Sequence, residues 1–189
     1  MADDKFLVVG LGNPGPKYAA TRHNAGFLTL DILAERVGGR FKSHKSRCDV
    51  LEGRLAGLPV VLAQPQSFMN ESGGPVVNAA RFFKVPVERI VVVHDELDLP
   101  FGELRLKRGG GDGGHNGLKS TTRSLGSKEY ARVRFGIGRP PGRQDPADYV
   151  LREFSAAERK DFEFLLDRAA DATEALLTDG LEAAQNRYH

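Results

Sequence analysis

Apolar residues fall along the chain in two alternating rhythms. Lys5-Phe-Leu-Val-Val9 is a short apolar run closed by Gly10 and predicts a buried strand. Phe27, Leu30, Ala34 and Val37 then recur at helical spacing, and Gly38-Gly39 supplies the stop. Residues 47–55 alternate as a strand does. Gly57-Leu-Pro59 turns the chain, and Val60-Val-Leu-Ala63 returns as a hairpin partner. Pro75 suits the first turn of a helix that ends near Lys84. Ile90-Val-Val-Val93 is apolar throughout, as a central strand covered on both faces must be.

Further strands are predicted at 103–108 and 131–135, with a helix over 117–125 between them. Pro146 starts a short helix after Asp145. Ser155 with Glu158 forms a capping box, and a long helix follows with Phe162, Leu165, Leu166, Ala169, Thr173 and Leu176 on one face. Gly180 ends it. Strands alternating with helices predict an α/β protein: one globular domain over residues 1–189, with a twisted, mixed, partly parallel sheet and helices on both faces. Ligands of such sheets sit beyond the carboxyl ends of the strands. That directs attention to Asn13, to Gln64–Asn70 and to Asp95.

Composition narrows the setting. No apolar run approaches the ~18 residues of a membrane span, and the start of the chain does not resemble a signal peptide. The single cysteine, Cys48, permits no intrachain disulfide and fits a reducing compartment. A cytoplasmic protein is the expectation. The net charge of +2 is unevenly spread, −4 from residue 151 onward and +6 before it. A basic body with an acidic tail is compatible with a polyanionic partner, and equally with a solvated surface.

Gly10-Leu-Gly12-Asn-Pro-Gly15 matches a dinucleotide-binding fingerprint, and Asp31 lies about where a ribose-binding acid belongs. The context fails, because Pro14 and Pro16 remove N–H groups a phosphate would need and Asp31 falls inside the first helix. The plainer reading is a stiff turn that fixes Asn13. No His/Cys/Asp/Glu spacing supports a zinc site, and there is no G-x-S-x-G elbow. His23, before the first helix, has the right chemistry for a base near neutral pH, although a loop histidine is commonly only a hydrogen-bonder. Asp95, at the end of the central strand, would orient an imidazole, bind a metal or face solvent. Phe68 and Met69 suit an apolar channel or the core. The glycine loop 109–114 suits an anion cradle, a lid or a plain connection. Arg132 and Arg134 share one face of their strand, with Arg105 and Lys107 similarly aligned, which predicts a phosphate-binding surface.

Taken together and in order, Gly-Leu-Gly-Asn-Pro-Gly at 10–15, Thr-Arg-His-Asn at 21–24, Ser-Phe-Met-Asn at 67–70, His-Asp-Glu-Leu-Asp at 94–98 and Gly-His-Asn-Gly-Leu-Lys at 114–119 closely resemble bacterial peptidyl-tRNA hydrolases. The resemblance covers nearly the whole chain. It implies hydrolysis of the ester between a peptide, or an N-blocked aminoacyl group, and the 3′-terminal ribose of tRNA. No metal or cofactor is implied, and a monomer is expected. His23 would be the general base and Asp95 its orienting partner. Asn13 and Asn70 would position the peptide part, with Met69 beside them and Tyr18 and Phe68 on the same substrate side. Asn116 would hold substrate or water, and His115 would lie near the mouth of the cleft. Lys107 and Arg134, assisted by Arg105, would meet tRNA phosphates. Asp112 departs from the pattern by placing an acid in the glycine loop, and Thr29 by placing a hydroxyl where an apolar residue is usual. A non-catalytic RNA-binding relative of the same fold is the alternative.

Overall fold

The computed structural model describes residues 4–189. The strands are β1 (Phe6–Gly10), β2 (Lys42–Ser43), β3 (Cys48–Leu55), β4 (Leu58–Pro65), β5 (Ile90–Glu96), β6 (Leu104–Arg108) and β7 (Ala131–Gly136). They form one sheet in the order β2-β3-β4-β1-β5-β7-β6. The centre is parallel, with β1 between β4 and β5 and β7 beside β5. The two margins are antiparallel. The mixed sheet follows from connection length: the two-residue turn at Ala56-Gly57 permits only a hairpin, whereas β1, β4 and β5 are separated by helical crossovers.

Helices cover both faces. They are α1 (Ala25–Val37), α2 (Gly73–Phe83), α3 (Asn116–Leu125), α4 (Pro146–Val150), α5 (Ala156–Arg159), α6 (Phe162–Asp179) and α7 (Leu181–Tyr188). Val8, Val91, Val93, Val133 and Phe135 pack in one core with Leu30 and Leu33 of α1, Leu166 and Leu176 of α6 and Ala184 of α7. The alternate residues Leu7, Val9, Val61 and Val92 pack in a second core with Val76 and Ala79 of α2 and Leu118 of α3. Period-two alternation thus feeds two cores from the central strands, which explains why their sequences read as unbroken apolar runs.

The capping box at Ser155 and Glu158 is formed, but it opens the one-turn α5, which stops before Asp161; the long helix α6 begins anew at Phe162. The short strand β2 and the terminal helix α7 were not evident from periodicity. Helix α7 shields the outer edge of β6, where the Leu106 N–H donates to His189 Nε2 and Gln185 Nε2 donates to the Leu106 carbonyl. Thr29 is accommodated in the core because its hydroxyl donates to the Ala25 carbonyl one turn earlier.

Candidate active site

The site lies where β1 and β5 end against the start of α1. Gly26 makes that close approach possible: a Cβ there would stand 2.4 Å from the Val93 carbonyl oxygen and 2.6 Å from the Leu11 nitrogen. The helix backbone therefore rests directly on the strand end, and the 3-10 turn Arg22–Asn24 that precedes α1 hangs over the carboxyl terminus of β5. His23 comes from this turn, and Asp95 from β5 beneath it.

Asp95 is buried and bridges two imidazoles, one per carboxylate oxygen. His23 Nδ1 lies 2.8 Å from Oδ2 and His115 Nε2 lies 2.8 Å from Oδ1. Burial alone would raise the Asp95 carboxyl, but the charges and hydrogen bonds of His23 and His115 outweigh it and hold the group well below the usual carboxylate range. Burial pushes the His23 imidazole down, and the Asp95 charge and hydrogen bond more than offset it, so His23 titrates above its ordinary value.

The hydrogen bonds fix the tautomers. His115 caps α3, with its Nδ1 accepting from the Leu118 N–H. A backbone N–H only donates, so Nδ1 carries no proton and His115 must present Nε2–H to Asp95. Both nitrogens of His115 are thereby engaged. His23 presents Nδ1–H to Asp95 and keeps the lone pair on Nε2. Of the two, only His23 has a nitrogen free to take a proton. His94 packs edge-on against His115 with ring centroids 5.1 Å apart, and its Nδ1 donates to the Asp95 carbonyl. Burial, then the neighbouring His115, lowers His94 to about 3, so this ring stays neutral.

His23, Asp95 and His115 also offer three ligand atoms within 4.8 Å of one another, the one group of its kind among the described residues. Both Asp95 oxygens already accept from these histidines, so a cation would have to compete with the bridge, and the donor set suits a hydrogen-bonded relay better than a metal.

A cleft of about 150 Å³ opens over this group, walled by Glu96 and Leu97, by Gly113–Asn116 and by Pro146, Ala147 and Val150 of α4. The α4 wall was not foreseen. It is tied down by Arg22, whose buried guanidinium donates to the Tyr149 carbonyl and to Glu158 at 3.0 Å and lies 4.0 Å from the Tyr149 ring centroid. Beside a histidine in a loop, Arg22 gave no sign of being buried.

Asn13, Tyr18, Phe68, Met69 and Asn70 do not line this cleft; Phe68 and Asn70 are exposed, whereas Asn13 and Met69 are buried. Met69 is the link to the cleft, since a Cβ on Gly117 would meet Met69 Sδ at 2.5 Å and His115 Cε1 at 3.0 Å. Asn13 is buried and clamped. Its N–H donates to Asn24 Oδ1, its carbonyl accepts from Asn24 Nδ2, and its Oδ1 accepts from the Met69 N–H at 2.7 Å. Because Met69 N can only donate, the Asn13 oxygen is committed and its NH₂ is the end left to donate. Asn24 was missed by sequence reasoning; its place inside the Thr-Arg-His-Asn motif was the available signal. Asn70 and Asn116 are exposed, and the Tyr18 and Phe68 rings meet edge to face at 6.3 Å.

The basic strip needs one correction. Arg105, Lys107 and Arg134 do share a face of β6 and β7 with Arg132. Arg132, however, is fully buried, and its guanidinium donates to the carbonyls of Gly110, Gly111 and Lys128. It holds the glycine loop and meets no solvent, because the loop folds back over it. The loop's far half is closed by Asp112, whose Oδ1 accepts from Gly114 N–H. This spends on an internal bond an N–H that an anion cradle would need. Arg134 pairs with Glu96 at 3.1 Å, and Arg105 with Glu103 at 2.8 Å. The nucleotide-binding reading of the first glycine motif also fails: Asp31 lies within α1 and accepts from Gln64 Nε2.

An imidazole base oriented by a buried carboxylate, at the carboxyl edge of an α/β sheet, is the equipment of a hydrolase that activates water. Comparison with known proteins makes the class specific. The family described as peptidyl-tRNA hydrolase matches residues 7–189. The peptidyl-tRNA hydrolase of Frankia casuarinae is 65% identical over 99% of this chain and 95% of its own. That of Nocardia farcinica is 63% identical over 97% of this chain and 95% of its own. The crystal structure of the Acinetobacter baumannii peptidyl-tRNA hydrolase superposes with a TM-score of 0.91 at 36% identity, covering 100% of this chain and 95% of that one. The chain belongs to the peptidyl-tRNA hydrolase family.

Proposed function

We propose that this protein hydrolyses the ester joining a peptide or N-blocked aminoacyl group to the 3′-terminal ribose of tRNA, with His23 as general base. The observation that carries this reading is the double bridge at Asp95, which engages Nδ1 of His23, a residue lining the cleft, and leaves its Nε2 lone pair uncommitted. Water bound there gives its proton to Nε2 as its oxygen attacks the ester carbonyl. Asp95 supports the imidazolium that forms. The proton then passes to the leaving ribose oxygen. Asn116, in the cleft wall, is placed to hold the water or the ester. His115 acts on Asp95 and shapes the wall, a more interior task than guarding the mouth.

The peptide side is assigned to Asn13, Tyr18, Phe68, Met69 and Asn70. The Asn13 NH₂ is the donor suited to a peptide carbonyl, and its rigid clamp removes the entropy cost of ordering it. Phosphates of the tRNA are assigned to Lys107, Arg134 and Arg105 on the β6–β7 face. Burial, then the neighbouring Arg134 and Arg132, lowers the Lys107 ammonium. An arriving phosphate would relieve that like-charge crowding.

No helix of the described residues is long and apolar enough to cross a membrane. The proposed setting is a cytoplasmic, monomeric enzyme that acts without a protein partner. The test is release of an N-acetylaminoacyl group from tRNA, beside the same tRNA carrying a free α-amine. Rapid release of the blocked group alone supports the assignment. Binding of tRNA without release of either would mark a non-catalytic RNA-binding relative.

A further inference from the structure

A second cationic surface lies on the opposite margin of the sheet. Residues 40–48 and 72–87 contain Arg40, Lys42, Lys45, Arg47, Arg81 and Lys84 and no acid. All six cations are exposed, and none makes an ion pair among the described residues. The acids that border these segments in sequence are Asp49, Glu71 and Glu88, and none of them lines the hollow described next. Strand alternation places Asp49 on the far face from Cys48 and Val50, which pack with α2.

Among these cations stands a hollow of about 240 Å³ between the β2–β3 turn and α2, lined by Lys45, Ser46, Asn78, Arg81 and Phe82. Phe82 is 48% exposed. Its ring is held by Phe83 and His44, with centroids 4.8 and 4.5 Å away. Lys45 Nζ lies 4.5 Å from the ring centroid. The turn is fixed in shape: His44 Nδ1 meets Ser46 Oγ at 2.8 Å, Arg47 N donates to the His44 carbonyl, and Arg47 has φ 71°, a left-handed conformation that a long side chain rarely adopts. The turn thus holds Lys45 against the exposed ring. The Asn78 carboxamide, exposed on α2, adds a donor and an acceptor.

We propose that this hollow is a binding site for an unpaired RNA nucleotide, with Phe82 as the stacking platform, Asn78 at the base edge and Lys45 and Arg81 on the flanking phosphates. An aromatic ring set among unpaired cations is how single strands are held without sequence preference. Stacking of a base outweighs the exposed cation–π contact it replaces, and frees the Lys45 ammonium for a phosphate. The hollow shares a sheet face with Lys107 and Arg134 but stands four to five strands from them, roughly 20 Å at the usual strand spacing. It is therefore a separate contact from the β6–β7 strip. Its ligand is either an unpaired part of the substrate tRNA or another RNA strand.

The test is binding of a labelled 12-nucleotide oligouridylate and of deacylated tRNA to wild type, Phe82→Leu and the double variant Lys45→Gln/Arg81→Gln. Phe82→Leu keeps the apolar packing and removes the π face; it should weaken oligouridylate binding on the order of tenfold. The double variant should reduce the slope of log Kd against log salt by about 1.4, at ~0.7 per phosphate on a single strand. Equal losses for tRNA would identify the substrate as the source, and losses for the oligonucleotide alone would identify another RNA. Affinities and salt slopes unchanged in both variants would overturn the site. Cleavage of a short N-blocked aminoacyl oligonucleotide, too small to reach the hollow, should be unaffected, which separates this site from the hydrolytic reading.

Discussion

Replacing Asp95 by Asn keeps the shape of the bridge and changes one property: of the two atoms facing the histidines, only one can still accept. His115 is committed to donate from Nε2, because Leu118 N–H occupies its Nδ1. The Asn oxygen must therefore face His115, and the Asn NH₂ faces His23. His23 can meet that group only by accepting at Nδ1, which moves its proton to Nε2, where the lone pair is needed. The variant should lose most of what general-base catalysis supplies, about 10²–10⁴-fold in kcat, or roughly 3–5 kcal/mol of barrier. The assay is single-turnover release from N-acetylaminoacyl-tRNA. A second variant isolates the cause. Adding His115→Ala removes the competing donor, so the Asn can turn its oxygen to His23 and the lone pair returns to Nε2. The double variant should then be faster than Asp95→Asn alone, by about tenfold, although His115→Ala slows the wild type. An Asp95→Asn rate within about threefold of wild type, or a double variant slower than the single, would refute the tautomer argument.

Four further outcomes follow from the same geometry. The neutral His23 is the active form, so kcat/KM should rise with pH through a pKa above the ordinary histidine value, and replacing Asp95 by Asn should move that limb to lower pH. The folded pKa of Asp95 is depressed, so it stabilises the fold above the unfolded value of ~3.9, and the benefit fades as pH falls through the folded value; urea midpoints of Asp95→Asn should lie below wild type at pH 7 and converge with it in strong acid. Arg22→Ala should cost about 2 kcal/mol in urea unfolding, because it removes charge-assisted hydrogen bonds to the part-buried Glu158 and to the Tyr149 carbonyl, and should lower kcat by loosening the α4 wall. Lys107→Ala should weaken tRNA binding and reduce the salt slope by about 0.9, the value for one phosphate of a duplex; an unchanged slope would place the tRNA elsewhere.

The strands were legible because the parallel centre is buried on both faces, which leaves unbroken runs such as Ile90–Val93. The first helix was legible from its periodicity and its glycine stop. His23 and Asp95 could be paired only through the family motifs, since 72 residues separate them and contact across that distance is a property of topology. What stayed hidden was burial of polar groups. Arg132 and Arg134 have the same spacing and face, yet the glycine loop covers one and leaves the other at the surface. Arg22 and Asn24 flank His23 and are more buried than it is, because each hydrogen-bonds to segments outside its own turn, Arg22 to Tyr149 and Glu158 and Asn24 to Asn13. The bridging role of His115 depended on its cap to Leu118, a local bond whose consequence appears only once Asp95 is placed beside it.

The most direct measurement is the single-turnover rate of N-acetylaminoacyl-tRNA cleavage by His23→Ala beside wild type, with tRNA affinity and thermal midpoint recorded for both. The expected result is a rate lower by about 10²–10⁴-fold with binding and folding essentially retained. A near-native rate would show that another group activates the water, and that the lone pair on His23 Nε2 is not the base.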